Sequence, residues 1–426
     1  MKKLLLSLLF LSSIVSVYSQ KNIEDLISVK EAVRIENVLA GDDMRGRKTF
    51  TPDIDKAAAF IADEFKSAGL KTFGTNKTYL QEFALVRPKF ISASAMVDSV
   101  ALDQKKIVVI TSSPNLSITE ACGYEKAYLK AGVNFQVESR KLARGNKNII
   151  VLVDTSFASS FSGLSRLKSN MFRSSTNVIF LLTNCDPKTY SVEAVHEITE
   201  QKLANVVGVI PGKSDEIVVF SGHYDHLGIG KTVNGDSIYN GANDDAAGTT
   251  AVILLAKYFQ QQKNNNRTLI FVAFTAEEVG GYGSQYFSRQ VNPEKVVAMF
   301  NIEMIGTESK WGKNSAYITG YEKTNMGEIL AKDLKGSDFN FYPDPYPTQQ
   351  LFYRSDNATL ARLGVPAHTI STSKMDVEPN YHKLTDEVST LDLDNMAAII
   401  RAIAISSKSV IAGKETPSRV NTADLR

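Results

Sequence analysis

The sequence predicts an α/β fold, with a mostly parallel central sheet flanked by helices and an inserted β-rich domain. From Ile217 onward, strand-like apolar runs alternate with helical patterns, as in sheets whose two faces are covered by helices. Between 89 and 204, short apolar runs are instead separated by Ser- and Asn-rich segments, which indicates a separate module of strands. The chain has 426 residues, 43% of them hydrophobic, and can therefore bury more than one core.

The charge balance gives no reason to expect a nucleic-acid or membrane-surface partner. The chain has 48 basic and 46 acidic residues, a formal net charge of +2, whereas such partners call for a marked surplus of one sign. The two cysteines, Cys122 and Cys185, are too few for a disulfide scaffold. They either pair in an oxidising compartment or remain as buried free thiols.

Residues 1–19 are predicted to be a signal peptide and not part of the fold. Lys2 and Lys3 form a positive start, 4–17 is an apolar run too short for a membrane span, and 17–19 supplies the cleavage region. An uncleaved membrane anchor is the alternative, and no cysteine follows the run to anchor a lipoprotein. We therefore expect an exported protein, periplasmic or secreted, without membrane attachment after cleavage.

The rest of the chain is predicted to divide into three segments. Residues 20–88 form the N-terminal part of the main domain, 89–204 the inserted domain, and 205–426 the remainder of the main domain. In the first segment, 55–70 has the apolar spacing of an amphipathic helix. The preceding loop, 40–47, is rich in turn residues and charge, and we assign its charges to the solvated surface.

The insertion is predicted to carry no chemistry of its own. Its strand-like runs are 106–111, 148–154 and 177–183. One histidine, His196, lies in a polar, helix-like stretch without a cluster of acidic or imidazole side chains, so we interpret it as ordinary surface.

The main domain is predicted to alternate strands with helices. We expect strands at 217–220, 269–274, 296–302 and 365–370, and helices at 248–261 and 395–410. The run 269–274 is continuously apolar, as a central parallel strand buried on both faces should be.

Side chains that can bind a metal follow these strands at the points where the strands end. In α/β sheets, ligands bind in the crevice beyond the carboxyl ends of the strands, so such positions can converge in space. His223 and Asp225 follow the strand at 217–220 and, two residues apart, share a face of an extended chain. An aspartate in that position can orient an imidazole that binds a metal.

Further carboxylates follow at three points. Asp244 precedes a helix, whose positive end favours a carboxylate, although an Asx-rich helix cap is the alternative interpretation. Glu277 and Glu278 directly follow the most apolar strand, where paired carboxylates are costly unless something positive meets them. Because neighbours on an extended chain point apart, one of the pair can bind metal while the other acts on a water. Glu303 ends another apolar strand.

A polar loop before the last helix supplies a second imidazole, His382. The candidate ligands are then two imidazoles and three carboxylates without sulfur, namely His223, Asp244, Glu278, Glu303 and His382. This set suits zinc, with cobalt or manganese as chemical alternatives. Five protein ligands suit two ions that share a bridging carboxylate, about 3.5 to 4 Å apart in sites of this kind. Glu277 is then the natural general base for the attacking water.

The motif series HxD, NDDxxG, AEE, N-[hydrophobic]-acid-M and YH resembles the secreted di-zinc aminopeptidases. This family includes bacterial leucyl aminopeptidases, glutamate carboxypeptidase and the transferrin receptor and, more distantly, glutaminyl cyclase. The motifs occur in family order over about 215–410. The segment 42–83 is similar to the start of such enzymes, and the insertion is similar to their protease-associated domain.

The resemblance implies a role for each candidate ligand. His223 and Glu303 would hold one zinc ion, and Glu278 and His382 would hold the other. Asp244 would bridge them, which gives two Zn²⁺ per chain.

The resemblance also implies three residues that act beside the metals. Asp225 would orient His223. Glu277 would take a proton from the water that bridges the ions and pass it to the leaving amine. Tyr381 would donate a hydrogen bond to the developing oxyanion. Metals and general base together would stabilise charge that appears only in the transition state.

Three positions depart from the family pattern. Glu303 stands where the family usually has aspartate, and because it keeps its ligand oxygens we expect the metal to be retained with altered geometry. Ala247 replaces a common serine, a change that we expect to be mild. Asn357 replaces a histidine that often follows the preceding aspartate, so we interpret this segment as pocket wall. His226 and His368 are interpreted as structural, since five better ligand candidates exist.

The expected function is that of an exported aminopeptidase that hydrolyses N-terminal residues from peptides. The alternatives are a glutaminyl cyclase, a carboxypeptidase acting on acidic C-termini, and a metal-free binding protein that keeps the fold. The intact ligand set and Glu277 argue against the metal-free alternative. An arginine cluster near the pocket would favour a carboxypeptidase, and the late motif YRSDN contains a single arginine, Arg354.

Overall fold

A computed structural model of this protein describes residues 22–425. The predicted signal peptide, 1–19, lies outside the described residues. Within them, no helix is long and apolar enough to cross a membrane.

The α-helices and β-strands of the described residues are defined by the following bounds. The helices are α1 (Ile23–Leu26), α2 (Val29–Leu39), α3 (Pro52–Ala68), α4 (Phe135–Ala143), α5 (Ala158–Phe161), α6 (Ala247–Gln262), α7 (Tyr282–Ser288), α8 (Met326–Asp333), α9 (Asn357–Ala361), α10 (Leu393–Ser406) and α11 (Lys408–Ile411). The strands are β1 (Lys71–Thr72), β2 (Leu80–Val97), β3 (Val100–Leu102), β4 (Ile107–Ile110), β5 (Asn115–Thr119), β6 (Glu125–Leu129), β7 (Ile149–Val153), β8 (Val178–Leu182), β9 (Tyr190–Ile210), β10 (Ile217–His223), β11 (Gly228–Val233), β12 (Asp236–Tyr239), β13 (Thr268–Phe274), β14 (Val296–Ile302), β15 (Ser315–Ile318), β16 (Asn340–Pro343) and β17 (Ala367–Ser371).

The chain forms two compact units. The first contains the described residues up to Lys48, then Asp53–Tyr79 and the chain from Val206 onward. The second contains Thr49–Pro52 and Leu80–Asn205.

The first unit is built on a mostly parallel sheet, and the predicted α/β fold is confirmed. Its strand order is β16-β15-β17-β14-β10-β13-β9, where β9 takes part through its last residues, 206–210. Strand β10 pairs in parallel with β13 and β14, and β14 pairs in parallel with β17. The antiparallel pairs are β13 with β9, β15 with β17 and β1 with β9.

The sheet centre explains why its strands are continuously apolar. Phe220 of β10 stacks on Phe271 of β13 and Phe300 of β14, with ring centroids 5.4 and 4.9 Å apart. On the helix side it also stacks on Phe259 of α6, at 5.5 Å. Strands covered on both faces have no solvent side on which polar residues could alternate.

Three elements have bounds that differ from the predicted ones. Strand β10 continues through His223, because Gly222 and His223 still pair with β13. Strand β17 begins at Ala367, two residues late, after a proline that has no N–H to give to a sheet. The predicted helix 395–410 is interrupted at Ser407, which separates α10 from α11.

The second unit contains a four-stranded sheet of order β4-β8-β7-β6. Strand β7 pairs in parallel with both neighbours, and β4 closes the edge antiparallel to β8. The three runs predicted in this region correspond to β4, β7 and β8, each about one residue shorter at its ends.

Two interpretations of the insertion were wrong. His196 lies on β9, buried beside Phe90 at a ring distance of 5.8 Å, and not on a helix surface. Val192, Ala194 and His196 are buried at every second position, which is the period of a strand. The two cysteine thiols are free and exposed, so neither a disulfide nor buried thiols are present.

Candidate metal centre

The topology brings three predicted ligand positions to one edge of the sheet. His223 is the last residue of β10, Glu303 directly follows β14, and Glu278 follows β13 after a short turn. Because these three strands are neighbours and parallel, their carboxyl ends meet at the same edge.

Asp244 lies at the middle of the cluster. Its Oδ1 is 3.2 Å from His223 Nε2, and its Oδ2 is 3.2 Å from His382 Nε2. His382 Nε2 is also 3.2 Å from Glu278 Oε2. Ligand atoms of His223, Asp244 and Glu303 lie within 4.8 Å of one another. The structure thus brings all five predicted ligands together around one shared carboxylate.

The unpaired atoms of the cluster fit a metal. His223 Nε2 and Glu303 Oε2 are buried without a hydrogen-bond partner. His223 Nε2 lies 3.2 Å from Asp244 Oδ1 without hydrogen-bond geometry between the two atoms. A buried polar group left in this way is costly unless a cation meets it, and nitrogen and oxygen donors without sulfur suit zinc.

The charges of the cluster also require a cation. Burial raises the pKa of Glu303 to about 7, and the charge of Asp244 adds to this. Burial also raises the pKa of Glu277, reinforced by the carboxylates of Glu303 and Asp356. Hydrogen bonds to Asp244 and then Glu278 raise the pKa of His382 to about 10. Carboxylates this close together favour positive charge among them.

Asp225 contacts both His223 and the segment that carries the two glutamates. His223 Nδ1 is 3.1 Å from the carbonyl oxygen of Asp225 but 3.9 Å from its carboxylate Oδ1. The carboxylate instead accepts the backbone N–H groups of Glu277, at 3.0 Å, and of Glu278, at 3.3 Å. Asp225 therefore contacts His223 through its backbone carbonyl and holds the turn of the two glutamates through its side chain.

Asp245, to which no role was assigned from the sequence, joins three parts of the site. Its Oδ2 accepts the N–H of His223 at 3.1 Å, and its Oδ1 accepts those of Gly248 and Met304 at 3.0 Å each. Helix α6 starts so close to β14 that a Cβ on Gly248 would collide with the carbonyl oxygen of Ile302. Glycine at this position permits the close approach.

Asp386 connects the shared carboxylate to the loop that supplies His382. Its two side-chain oxygens accept the N–H of Asn243 at 2.8 Å and of Asp244 at 3.0 Å. Burial raises the pKa of Asp386 to about 6. His382 therefore contacts the side chain of Asp244, and Asp386 accepts a hydrogen bond from its backbone N–H.

Arg47 was wrongly assigned to the solvated surface. The side chain is fully buried and donates to four carbonyl oxygens: Leu39 at 2.5 Å, Asn240 at 2.6 Å, and Tyr224 and Gly241 at 2.9 Å. It thereby ties the HYD segment to the segment that leads into Asp244. No local pattern shows that distant carbonyls will point at this arginine.

His226, interpreted as structural from the sequence, lies inside the cluster. Its ligand atom groups with those of Asp244 and Glu278 within 4.8 Å. His226 Nδ1 is 2.9 Å from Glu278 Oε1, while His382 approaches the other oxygen of the same carboxylate. The spacing of two histidines three residues apart, in HYDH, was the available signal.

His368 does occupy a structural position. It is buried on β17, with Nδ1 2.8 Å from the carbonyl oxygen of Thr319 and Nε2 2.8 Å from Thr324 Oγ1. Burial lowers its pKa to about 4, so it is neutral under ordinary conditions.

The turns that present the ligands have left-handed backbone at non-glycine residues. These are Ala276, before the glutamate pair, Met304, after Glu303, and His382 itself, with φ of 60°, 55° and 56°. Such conformations cost of the order of 1 kcal/mol or more each and tend to persist where the surrounding contacts impose them, as at functional sites.

A pocket opens on the metal centre. Its remaining walls are formed by Met304, Tyr317, Thr319, Leu351, Arg354, Ser355, Thr369, Ser371, Met375 and Tyr381. The ring of Tyr381 stacks on that of His382 with centroids 4.0 Å apart. Burial raises the pKa of Tyr381 to about 12, so its hydroxyl keeps the proton and can donate it in a hydrogen bond.

Comparison with known sequences finds one family model and several curated relatives that match this part of the chain. Residues 205–406 match the model of peptidase family M28. Leucine aminopeptidase 1 of Trichophyton rubrum is 27% identical in an alignment of 202 residues that covers 45% of this chain and 54% of that protein. The chain thus spans about half the length of the curated relatives it matches. The resemblance inferred from the motif series is confirmed.

Solved structures share the fold over nearly the whole chain. A zinc aminopeptidase from Bacillus subtilis has a TM-score of 0.54 at 15% identity, covering 90% of this chain and 95% of that one. An aminopeptidase from Aneurinibacillus sp. strain AM-1 has a TM-score of 0.53 at 17% identity, covering 95% and 97%. At these identities the likeness establishes the fold.

Substitution of Arg47 tests its role in holding the site. We expect Arg47→Gln to lower the free energy of unfolding by about 3 kcal/mol or more, because several buried carbonyls lose their donor. Zinc affinity should fall as well, since two ligand-bearing segments are released. Thermal unfolding and zinc titration measure the two effects. Arg45→Gln, which removes an exposed arginine paired with Asp53, is the control, and equal effects of the two substitutions would contradict the assignment.

Proposed function

We propose that this protein, whose residues 205–406 match peptidase family M28, is a zinc-dependent aminopeptidase that releases N-terminal residues from peptides. The observation that carries the proposal is the cluster of two imidazoles and three carboxylates around Asp244. It lies at the carboxyl edge of the sheet and opens into a pocket, where a peptide end has access to it.

The contacts among these side chains support a ligand assignment. His223 and Glu303 would hold one zinc ion, Glu278 and His382 the second, and Asp244 would be shared between them. When bound, zinc lowers the pKa of a water and polarises a carbonyl group. His226, which bonds Oε1 of Glu278, would orient that carboxylate so that Oε2 faces His382.

The proton transfers are assigned to this chain's own residues. Glu277 would take a proton from the water as the water oxygen attacks the scissile carbonyl carbon. It would return that proton to the peptide nitrogen as the C–N bond breaks. The raised pKa of the buried Glu277 makes it a stronger base than an exposed glutamate. Tyr381 would donate its hydroxyl proton in a hydrogen bond to the carbonyl oxygen as negative charge develops there.

We further propose that the second compact unit is the insertion predicted at 89–204, and that 20–88 and 205–426 together form the catalytic domain. Residues 1–19 would direct export, so that the enzyme meets peptides in the periplasm or outside the cell.

Metal analysis of the purified protein, combined with a panel of aminoacyl anilides, tests the function. We expect about two zinc ions per chain and chelator-sensitive release of the anilide, as five protein ligands suit a pair of ions. Cyclisation of N-terminal glutamine without anilide hydrolysis would favour the cyclase alternative. A purified protein that neither binds zinc nor acts on any member of the panel would refute the proposal.

The two adjacent glutamates should separate catalysis from metal binding. Glu277→Gln should leave the zinc content near normal while kcat falls roughly 10²-fold or more, as expected for a lost general base. Glu278→Gln, the matched neighbour, should lose zinc together with activity. If Glu277→Gln also loses zinc, the division of labour between the two residues is wrong.

The two histidines that approach Glu278 should differ in the same assay. His382→Ala removes a proposed ligand, and we expect about one zinc ion fewer per chain. His226→Ala removes an orienting partner, so the stoichiometry at saturating zinc should hold while zinc affinity falls about 10- to 100-fold. The reverse pattern would make His226 the ligand.

A further inference from the structure

The pocket beside the metal centre contains an arginine to which the proposed mechanism gives no role. Arg354 lines the same pocket as Asp244, Glu278 and His382. Its Nη2 lies 3.4 Å from the hydroxyl oxygen of Tyr381, and its Nη1 lies 3.3 Å from Gln349 Oε1. Both contacts are long, and both partners are neutral.

Arg354 makes no ion pair within 4.0 Å in the part of the chain that the structure describes. By contrast, Arg34 and Arg267 each contact a glutamate, at 2.8 and 2.9 Å. A guanidinium carries five N–H donors in a planar fork that matches a carboxylate with two parallel hydrogen bonds. Arg354 is thus a cation at the wall of the pocket. Neutral groups hold its side chain, and its guanidinium has further N–H donors available for a ligand.

The position of this arginine indicates which carboxylate it can meet. Tyr381, stacked on His382, is the group that we place against the scissile carbonyl. Arg354 in turn contacts the hydroxyl of Tyr381. In a dipeptide, the terminal carboxylate is separated from the scissile carbonyl only by the peptide nitrogen and one Cα. The same pocket is also lined by the apolar side chains of Met304, Leu351 and Met375, which suit an apolar side chain on the first residue.

We propose that Arg354 binds the α-carboxylate of the residue that follows the cleaved bond, so that dipeptides are preferred substrates. The inference rests on the proposed aminopeptidase function and narrows its substrate class. In a longer peptide that position is a neutral amide, which gains little from a guanidinium. Arg354 therefore makes dipeptides better substrates than longer peptides.

The test compares leucyl-leucine with leucyl-leucinamide, which lacks the carboxylate charge. With the zinc-loaded full chain, we expect kcat/KM to favour the acid by about tenfold, mainly through KM, as expected for one charge-assisted hydrogen-bonded pair. In Arg354→Gln the ratio should approach one. Arg354→Lys, which keeps the charge but not the fork, should retain part of the preference. Arg144→Gln, an exposed arginine of the other unit that does not line the pocket, should leave the ratio unchanged.

Each contrary result has a distinct meaning. An acid-to-amide ratio that is the same in wild type and in Arg354→Gln overturns the inference, while hydrolysis of both substrates leaves the aminopeptidase function standing. A preference for N-terminal glutamate or aspartate that Arg354→Gln abolishes would assign the arginine to a side-chain carboxylate, and would also overturn it. If neither substrate is hydrolysed, the proposed function fails. Calorimetric binding of the two dipeptides, with and without Arg354→Gln, then decides the inference alone.

Discussion

The structure depends on one electrostatic constraint, which is the concentration of buried carboxylates around Asp244. Glu277, Glu278 and Glu303 converge on this residue from neighbouring strand ends, in a place where burial raises the pKa of Glu277 and of Glu303. Like charges that close are stable only if positive charge is placed among them. His223 and His382 border this cluster, and a cation bound among these side chains would supply that charge.

The protein holds these acids in place chiefly through hydrogen bonds between buried charged side chains and backbone groups. Asp225, Asp245 and Asp386 each accept N–H groups from the segments that carry ligands, and Arg47 donates to the carbonyl oxygens of the same region. Hydrogen bonds to a charged group are stronger than neutral ones, and buried they leave little freedom. The candidate ligands are therefore held in position by the protein itself, which lowers the cost of binding a metal or substrate.

Much of the fold and of the site could be predicted from the sequence. The strand at 296–302 was predicted with its observed bounds. His223, Glu278 and Glu303 were recognised because each stands where an apolar run ends. The errors came where local pattern and environment disagree. His196 looked polar and helical but is buried on a strand along which buried and exposed positions alternate. Strand β10 extends beyond its apolar stretch because its pairing with β13 continues.

The sequence by itself determined the α/β class, the five candidate ligands and the glutamate next to them, because periodicity and residue chemistry are local properties. Tertiary structure alone decided how those residues are held. The hydrogen bond from Arg47 to Tyr224 spans 177 positions, and that from Asn243 to Asp386 spans 143. Nothing in a local stretch reports a partner so distant, so Arg47 was assigned to solvent, Asp245 received no role, and His226 was separated from the glutamate that it contacts.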